Sequence, residues 1–280
     1  MKSVSVVIPT YNRTEELLRS INTVIEQTYQ GNIEIIIVDD SEDSIKNKIN
    51  KNFFQILKQK KNRKIAYIHK AKKEGAPIAR NVGIDNSKGD YVAFLDDDDL
   101  WLPTKIEKQV KVLDKNKNAG LVISYSLDKR FGKERISKPP KKVDHKTVLN
   151  AFNLSSSSTY LVRKTILNEL KGFDVNLPSS QEYDIAIRIS KNYEIYCIPE
   201  VLMIQNATDG QISENWNRKV KGLIAIYKKH NLEFRRIGFI NYLLSNVKFI
   251  GMLALFTFGK LIGNRIYGVI IPAKEIYETK

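Results

Sequence analysis

Tyr91-Val92-Ala93-Phe94-Leu95-Asp96-Asp97-Asp98-Asp99 is the stretch whose reading decides the fold of this chain. Five apolar residues without polar alternation suit a strand covered on both faces, as in parallel sheets packed between helices. The four aspartates that end the run cannot share that burial. They would repel one another unless their pKa values rise or a cation neutralises them, so they mark the carboxyl end of the strand as a place where charge is handled.

Upstream of this strand the same pattern recurs. Residues 4–8, 33–38 and 65–69 are short β-branched apolar runs that read as buried strands. Between them lie helical patterns. Thr14 is positioned to cap a helix in which Leu17, Leu18, Ile21, Val24 and Ile25 recur at helical spacing, residues 45–60 read as a second helix, and Pro77 opens a third that runs to about Asn86. This β-α-β-α order predicts a mostly parallel, Rossmann-like α/β sheet flanked by helices. In such sheets ligands bind beyond the carboxyl ends of the strands. Thr10-Tyr11-Asn12, Asp39-Asp40-Ser41 and Asp96 to Asp99 all fall there, so the three polar clusters are expected to line one site.

Downstream, a helix with Ile106, Val110 and Leu113 on one side follows Pro103, and residues 121–125 form another strand. Residues 128–147 are basic, contain Pro139-Pro140 and read as a surface loop. Residues 159–162 form a strand preceded by Ser155 to Ser158, which fit either a turn or a polar wall. A further helix begins near Gln181, and residues 195–198 and 201–204 add strand. From Glu214 the pattern becomes helical and basic, which divides the chain into a catalytic domain over 1–213 and a C-terminal helical, basic-apolar extension over 214–280.

Composition narrows the chemistry. Hydrophobic residues make up 42% of the 280, enough for a substantial core. Cys197 is the only cysteine, so no disulfide forms within the chain, and His69, His145 and His230 are scattered without ligand spacing. A metal would be held by carboxylates, which favours a hard cation, Mn²⁺ or Mg²⁺. The net charge is +15, of which residues 214–280 carry +8 (twelve Lys/Arg against four Asp/Glu). A basic tail beside the uncharged run 249–258 suits an anionic membrane surface, and no nucleic-acid partner is expected. Ten residues are too few to span a bilayer, so an interfacial helix is the membrane reading and a soluble subdomain or dimer contact its rival. Met1-Lys2-Ser3 leads directly into a strand, so no secretory leader is expected, and the catalytic part is placed in the cytoplasm, peripheral on the inner face of the cell membrane.

Four segments taken together resemble family 2 glycosyltransferases of the GT-A fold. They are Val4-Ser5-Val6-Val7-Ile8-Pro9-Thr10-Tyr11-Asn12-Arg13, Ile37-Val38-Asp39-Asp40-Ser41, Ala79-Arg80-Asn81-Val82-Gly83-Ile84 and Phe94-Leu95-Asp96-Asp97-Asp98-Asp99. The resemblance implies an inverting enzyme that moves a sugar from a nucleotide-sugar donor, with UDP the expected carrier, to a hydroxyl of a cell-surface glycan or lipid-linked acceptor. It implies that Thr10 and Tyr11 flank the donor base, that Asp39 hydrogen-bonds it, and that Asp40 lies near the ribose or supports the loop. It places Arg80 near the diphosphate, although an ion pair with Asp39 or Asp96 is the plainer reading of that arginine. Asp96-Asp97-Asp98 covers the family's Asp-x-Asp motif, with Asp96 and Asp97 on the donor and Asp98 the direct metal ligand, while Asp99 fits a helix cap. Trp101 matches a position near the acceptor and equally fits a core tryptophan.

The second constellation is Gly172-Phe173-Asp174 followed by Gln181-Glu182-Tyr183-Asp184. On the helix that follows, Glu182, Ile185, Ala186 and Ile189 share one face, which is apolar and inward. A carboxylate there is costly without a task or partner. Asp184 lies off that face, where Arg188 at i+4 can pair with it. Inverting transfer needs one base for the acceptor hydroxyl, and in the resembling family this segment carries it. Glu182 is the expected base and Asp184 the fallback. Two other classes compete: a nucleotidyltransferase on a similar sheet, and a non-catalytic protein that binds membrane or nucleic acid through its basic tail.

Overall fold

A computed structural model describes residues 1–45, 62–129, 134–151, 154–206, 216–238 and 246–254. The helix expected over 45–60, the loop after 206 and the tail beyond 254 fall outside them. The core is one sheet built from β1 (Val4–Thr10), β2 (Ile33–Asp39), β3 (Arg63–His69), β4 (Tyr91–Phe94), β5 (Asp99–Trp101), β6 (Ala119–Asp128), β7 (Arg135–Ser137), β8 (Lys142–Val143), β9 (Leu161–Arg163) and β10 (Glu194–Gln205). Its main path runs β3-β2-β1-β4-β9-β6-β10-β5. β1 pairs in parallel with both β2 and β4, in register at Val4↔Ile33 and Val4↔Tyr91, and every residue of β1 is buried. That is why its sequence is a near-continuous apolar run. β6 and β10 are also parallel. β9 lies antiparallel to both β4 and β6, a reversal inside an otherwise mostly parallel sheet.

Successive side chains of β1 point to opposite faces. Val4, Val6 and Ile8 join the core under α1 (Thr14–Ile25), and Val7 joins the core on the other face. α2 (Ala76–Asn86) crosses that second face so closely that a Cβ at Gly83 would lie 2.2 Å from Val7 Cγ1. Only glycine fits there. α3 (Lys105–Lys115) buries Ile106, Val110 and Leu113, as its spacing predicts.

Four expectations are revised. Thr14 does not cap α1: it is the first helical residue, with Arg13 as N-cap and no side-chain cap bond, because Asn12 turns the chain one residue earlier through a left-handed φ of 55°. The stretch 128–147 is not only loop. It contributes β7, paired with β6, and β8, paired with β10, since an available strand edge imposes extended structure on residues with no alternation of their own. The two pieces read at 195–204 are one strand, β10, interrupted at Pro199 by a register shift between Ile198 and Val201. Asp99 caps no helix. It opens β5 opposite Gln205.

Glu182 and Asp184 lie on α6 (Gln181–Ser190), which follows α4 (His145–Ala151) and α5 (Lys164–Glu169). α7 (Trp216–Lys229) and α8 (Asn231–Arg236) follow, and their Leu223, Ile226 and Phe234 are buried in the same core as Ile185, Ile187 and Ile189 of α6. Among the described residues, no helix is long and apolar enough to cross a membrane.

Candidate active site

The three polar clusters meet at the carboxyl ends of β1, β2 and β4. Thr10, the last residue of β1, donates from Oγ1 to Asp97 Oδ2 at 2.8 Å. Tyr11 is half-buried, and Lys73 Nζ lies 3.8 Å from its ring centroid, a cation–π contact on that wall. Asn12 donates its backbone N–H to Ser41 Oγ at 2.8 Å, which ties the first cluster to the second.

The two aspartates at the end of β2 do different work. Asp39 is fully buried and accepts from the N–H groups of Ser41 and Ile45, both at 3.0 Å, and from the Tyr67 hydroxyl. Burial would raise its pKa, but the bonds from Ser41, Tyr67 and Ile45 hold it below the ordinary carboxylate range. Asp40 takes the loop-supporting role. It accepts from Lys70 Nζ at 2.9 Å and from the Gly75 N–H at 2.7 Å, fixing the turn that starts α2.

The aspartate run is braced from behind. Ser158 Oγ accepts from the Asp96 N–H at 3.0 Å, and the Ser158 carbonyl accepts from Trp101 Nε1 at 2.7 Å. Ser157–Thr159 form a buried 3₁₀ turn, so the serine segment is a structural prop and Trp101, 2% exposed, belongs to the core. Ser20 Oγ completes the brace, within hydrogen-bond distance of the carbonyls of Asp97 and Asp99.

The carboxylates themselves face two arginines. Burial pushes the Asp97 carboxyl up to about 7, with Asp98 and Asp96 reinforcing the shift against Thr10 and Arg13. Arg13 Nη1 lies 3.2 Å from Asp97 Oδ1 and 2.9 Å from Asp98 Oδ2. Arg80, carried on α2 and 4% exposed, donates from Nη2 to Asp96 Oδ1 at 2.6 Å and lies 3.4 Å from Glu182 Oε1 through Nη1. Its guanidinium sits 5.5 Å from the Phe173 ring centroid, and its buried Nε has no hydrogen-bond partner among the described residues. Burial opposes the charge on Arg80, but Asp96 and Glu182 outweigh it and raise its pKa. Arg80 thus joins the aspartate run to α6.

Glu182 and Asp184 are separated by their surroundings. The Glu182 side chain is 25% exposed, with Arg80 beside it. The Asp184 side chain is fully buried and accepts from Arg188 Nε at 2.8 Å, His230 Nε2 at 2.8 Å and Lys229 Nζ at 2.7 Å. Burial alone would raise its pKa, but His230, Arg188 and Lys229 hold it at about 2. An acid that weakly basic makes a poor acceptor of a hydroxyl proton. Arg188 also donates to the carbonyls of Leu170 and Gly172, and Asn81 holds both backbone groups of Phe173, so Asp184 anchors the loop on which Arg80 rests.

Sequence reasoning did not anticipate Arg13, Ser158, Phe173 or His230 as partners. Arg13, Ser158 and Phe173 each lie in a segment the sequence marks out, whereas His230 carries no such signal.

A divalent ion can be tested against these side chains. Among the described residues, no group of three or more His, Cys, Asp or Glu side chains is arranged to hold a metal unaided. Magnesium-like ions at phosphate-transfer sites need only one or two carboxylates, the phosphates supplying the rest. Asp97 and Asp98 already converge on one cationic nitrogen, and their all-oxygen donor set suits a hard ion. The residues fit the group.

Comparison with known proteins follows the same line. The family model of glycosyl transferase family 2 matches residues 5–171. The uncharacterized glycosyltransferase MJ1057 of Methanocaldococcus jannaschii is 34% identical over 209 residues, 71% of this chain and 69% of that protein. WfaP of Escherichia coli, a UDP-Glc:alpha-D-GlcNAc-diphosphoundecaprenol beta-1,3-glucosyltransferase, is 31% identical over 168 residues, 60% of this chain and 64% of its own length. Other relatives are matched over only 28% or 65% of their length. Among solved structures, the mannosyltransferase PcManGT from Pyrobaculum calidifontis in complex with GDP-Man and Mn²⁺ superposes with a TM-score of 0.68 at 17% identity, covering 96% of this chain and 76% of that one.

Proposed function

We propose, since the chain belongs to glycosyl transferase family 2, that it transfers a sugar with inversion from a UDP-sugar to a hydroxyl of a glycan or lipid-linked acceptor. The observation that carries the reading is Arg80, which touches Asp96 on the donor side and Glu182 on the acceptor side. The UDP donor and lipid-linked acceptor are supported by the name of WfaP, which is 31% identical to this chain.

On this reading Thr10 and Tyr11 form the wall beside the donor base, and Asp39 shapes the pocket for it. Asp96 and Asp97 orient the donor, and Arg80 offers its guanidinium to the diphosphate. A divalent ion held by Asp98, with Asp97 beside it, supplies neutralisation of the leaving nucleoside diphosphate when bound. Glu182 accepts the proton of the acceptor hydroxyl, whose oxygen attacks the anomeric carbon on the face opposite the leaving group, so one displacement inverts the centre without a covalent glycosyl-enzyme. Arg80, 3.4 Å from Glu182 Oε1, orients that carboxylate for the transfer.

Residues 214–280 act as an extension whose first helices brace α6 and whose remainder meets the cytoplasmic membrane surface. Exposed Leu232, Val247 and Ile250 alongside Arg235, Arg236 and Lys248 support that peripheral placement. The deciding experiment is a thermal-shift screen of nucleoside diphosphates and nucleotide sugars with and without Mn²⁺. Stabilisation by uridine nucleotides that depends on Mn²⁺ is expected. Stabilisation by another base, or by none, would refute the donor assignment, and release of pyrophosphate during turnover would favour a nucleotidyltransferase.

A further inference from the structure

Arg13 has no part in the transfer steps above, yet it occupies a particular place. It is the N-cap residue of α1, delivered by the left-handed turn at Asn12 directly from the end of β1. Its Nη1 bridges Asp97 Oδ1 at 3.2 Å and Asp98 Oδ2 at 2.9 Å. The Arg13 side chain is 25% exposed, whereas those of Asp97 and Asp98 are 8% and 12% exposed. The cation is therefore less enclosed than the pair it neutralises. Other groups around the pair include Thr10 on Asp97, Asp96 with its own partner Arg80, and Asn206, whose Nδ2 lies 3.4 Å from the Asp98 carbonyl.

We propose that Arg13 is a built-in placeholder for the divalent ion, neutralising Asp97 and Asp98 in the donor-free enzyme and vacating their oxygens when the ion takes them. The inference rests on the metal reading of Asp98 given above. Two adjacent carboxylates this little exposed need a cation beside them, and Arg13 is the cation that bridges both. A guanidinium stays charged at any working pH, so it cannot be switched off by losing a proton, only displaced. Metal binding without donor then works against that ion pair. A donor diphosphate offsets the displacement twice, by adding oxygen ligands to the ion and by giving the released guanidinium a new anionic partner. Arg13 thereby couples metal binding to nucleotide binding, and the coupling is reciprocal.

The test is titration of Mn²⁺ alone, followed by the electron paramagnetic resonance signal of the free ion, into wild type, Arg13→Ala, Arg13→Gln and Asp98→Asn, each repeated with saturating UDP. Arg13→Gln retains the length of the side chain and covers the event that Arg13→Ala does not fold. Both Arg13 variants should bind Mn²⁺ alone about tenfold more tightly than wild type, and the gain in Mn²⁺ affinity from UDP should shrink by a similar factor. Unchanged or weaker Mn²⁺ binding in the Arg13 variants, with binding lost in Asp98→Asn, would overturn the placeholder role and leave the metal site standing. Wild-type Mn²⁺ binding by Asp98→Asn would instead sink the metal reading, and the placeholder with it.

Discussion

Replacing Asp184 by Asn removes one negative charge from the centre of a buried cluster while keeping its shape. Asp184 is 0% exposed and faces Arg188, Lys229 and His230 at 2.7–2.8 Å. Its folded pKa of about 2, against an ordinary 3.8, corresponds by linkage to about 2 kcal/mol of stability. Leaving a buried cation without its partner adds to that, and broken buried pairs cost about 3–5 kcal/mol. The expected loss at pH 7 is therefore about 2–5 kcal/mol, or a fall in Tm of at least roughly 4 °C for a domain of this size. The sign with pH is fixed. Asp184 has a depressed folded pKa, so its contribution is complete above the unfolded value near 4 and disappears as pH falls through about 2. Urea unfolding of wild type and Asp184→Asn at several pH values from 2 to 7 is the assay. The gap in stability should be constant above pH 4 to 5 and narrow below it. Equal midpoints at pH 7, or a gap that does not change with acid, would refute the claim that this ion cluster anchors α6. The same variant, assayed below its melting point, should still transfer sugar; a folded but inactive Asp184→Asn would return it to candidacy as the base.

Glu182→Gln should keep donor-induced thermal stabilisation and lose about a hundred- to ten-thousand-fold in kcat, and wild-type turnover by this variant would remove Glu182 as the base. Gly172→Ala should cost about 1–3 kcal/mol in urea unfolding, since Gly172 has φ +65° and a Cβ there would lie 2.3 Å from Asn81 Oδ1. A neutral effect would mean that the loop under Arg80 is less fixed than its hydrogen bonds imply. Lys105 is fully buried, and burial lowers its pKa well below 10.5. Between its lowered folded pKa and the ordinary value the unfolded chain binds a proton that the folded chain does not, so wild type should gain stability relative to Lys105→Met as pH is raised toward 10.5. A pH-independent difference between the two would show that Lys105 stays protonated in the fold.

Much of the donor side was legible in the sequence because it is written in local patterns. β1, β2 and β4 are near-continuous apolar runs, interrupted by Ser5 and Glu34, since each is covered on both faces, and the polar residues at their carboxyl ends fall at the sheet edge. The inward face of α6 was misread: Asp184 is the fully buried carboxylate and Glu182 is 25% exposed, because α6 is covered on nearly all sides. Less was legible where the partner is distant. β7 and β8 exist because edges of β6 and β10 are free to pair, and nothing in their own residues alternates. β9 reads as a strand, but its antiparallel insertion between β4 and β6 depends on the path of the chain after Ser158.

The sequence by itself determined the layer architecture, the edge at which chemistry occurs and the residue types gathered there, because burial of apolar runs and exposure of their polar ends are local properties. The tertiary structure decided how the four aspartates divide their labour. Asp96 pairs with Arg80, Asp97 and Asp98 share Arg13, and Asp99 turns into β5. It also set the two carboxylates of α6 in different surroundings, since His230 and Lys229 reach Asp184 from far along the chain and Arg80 reaches Glu182. Those assignments depend on which cation lies within about 3 Å of which oxygen, and electrostatic interaction at that range is set by packing in three dimensions.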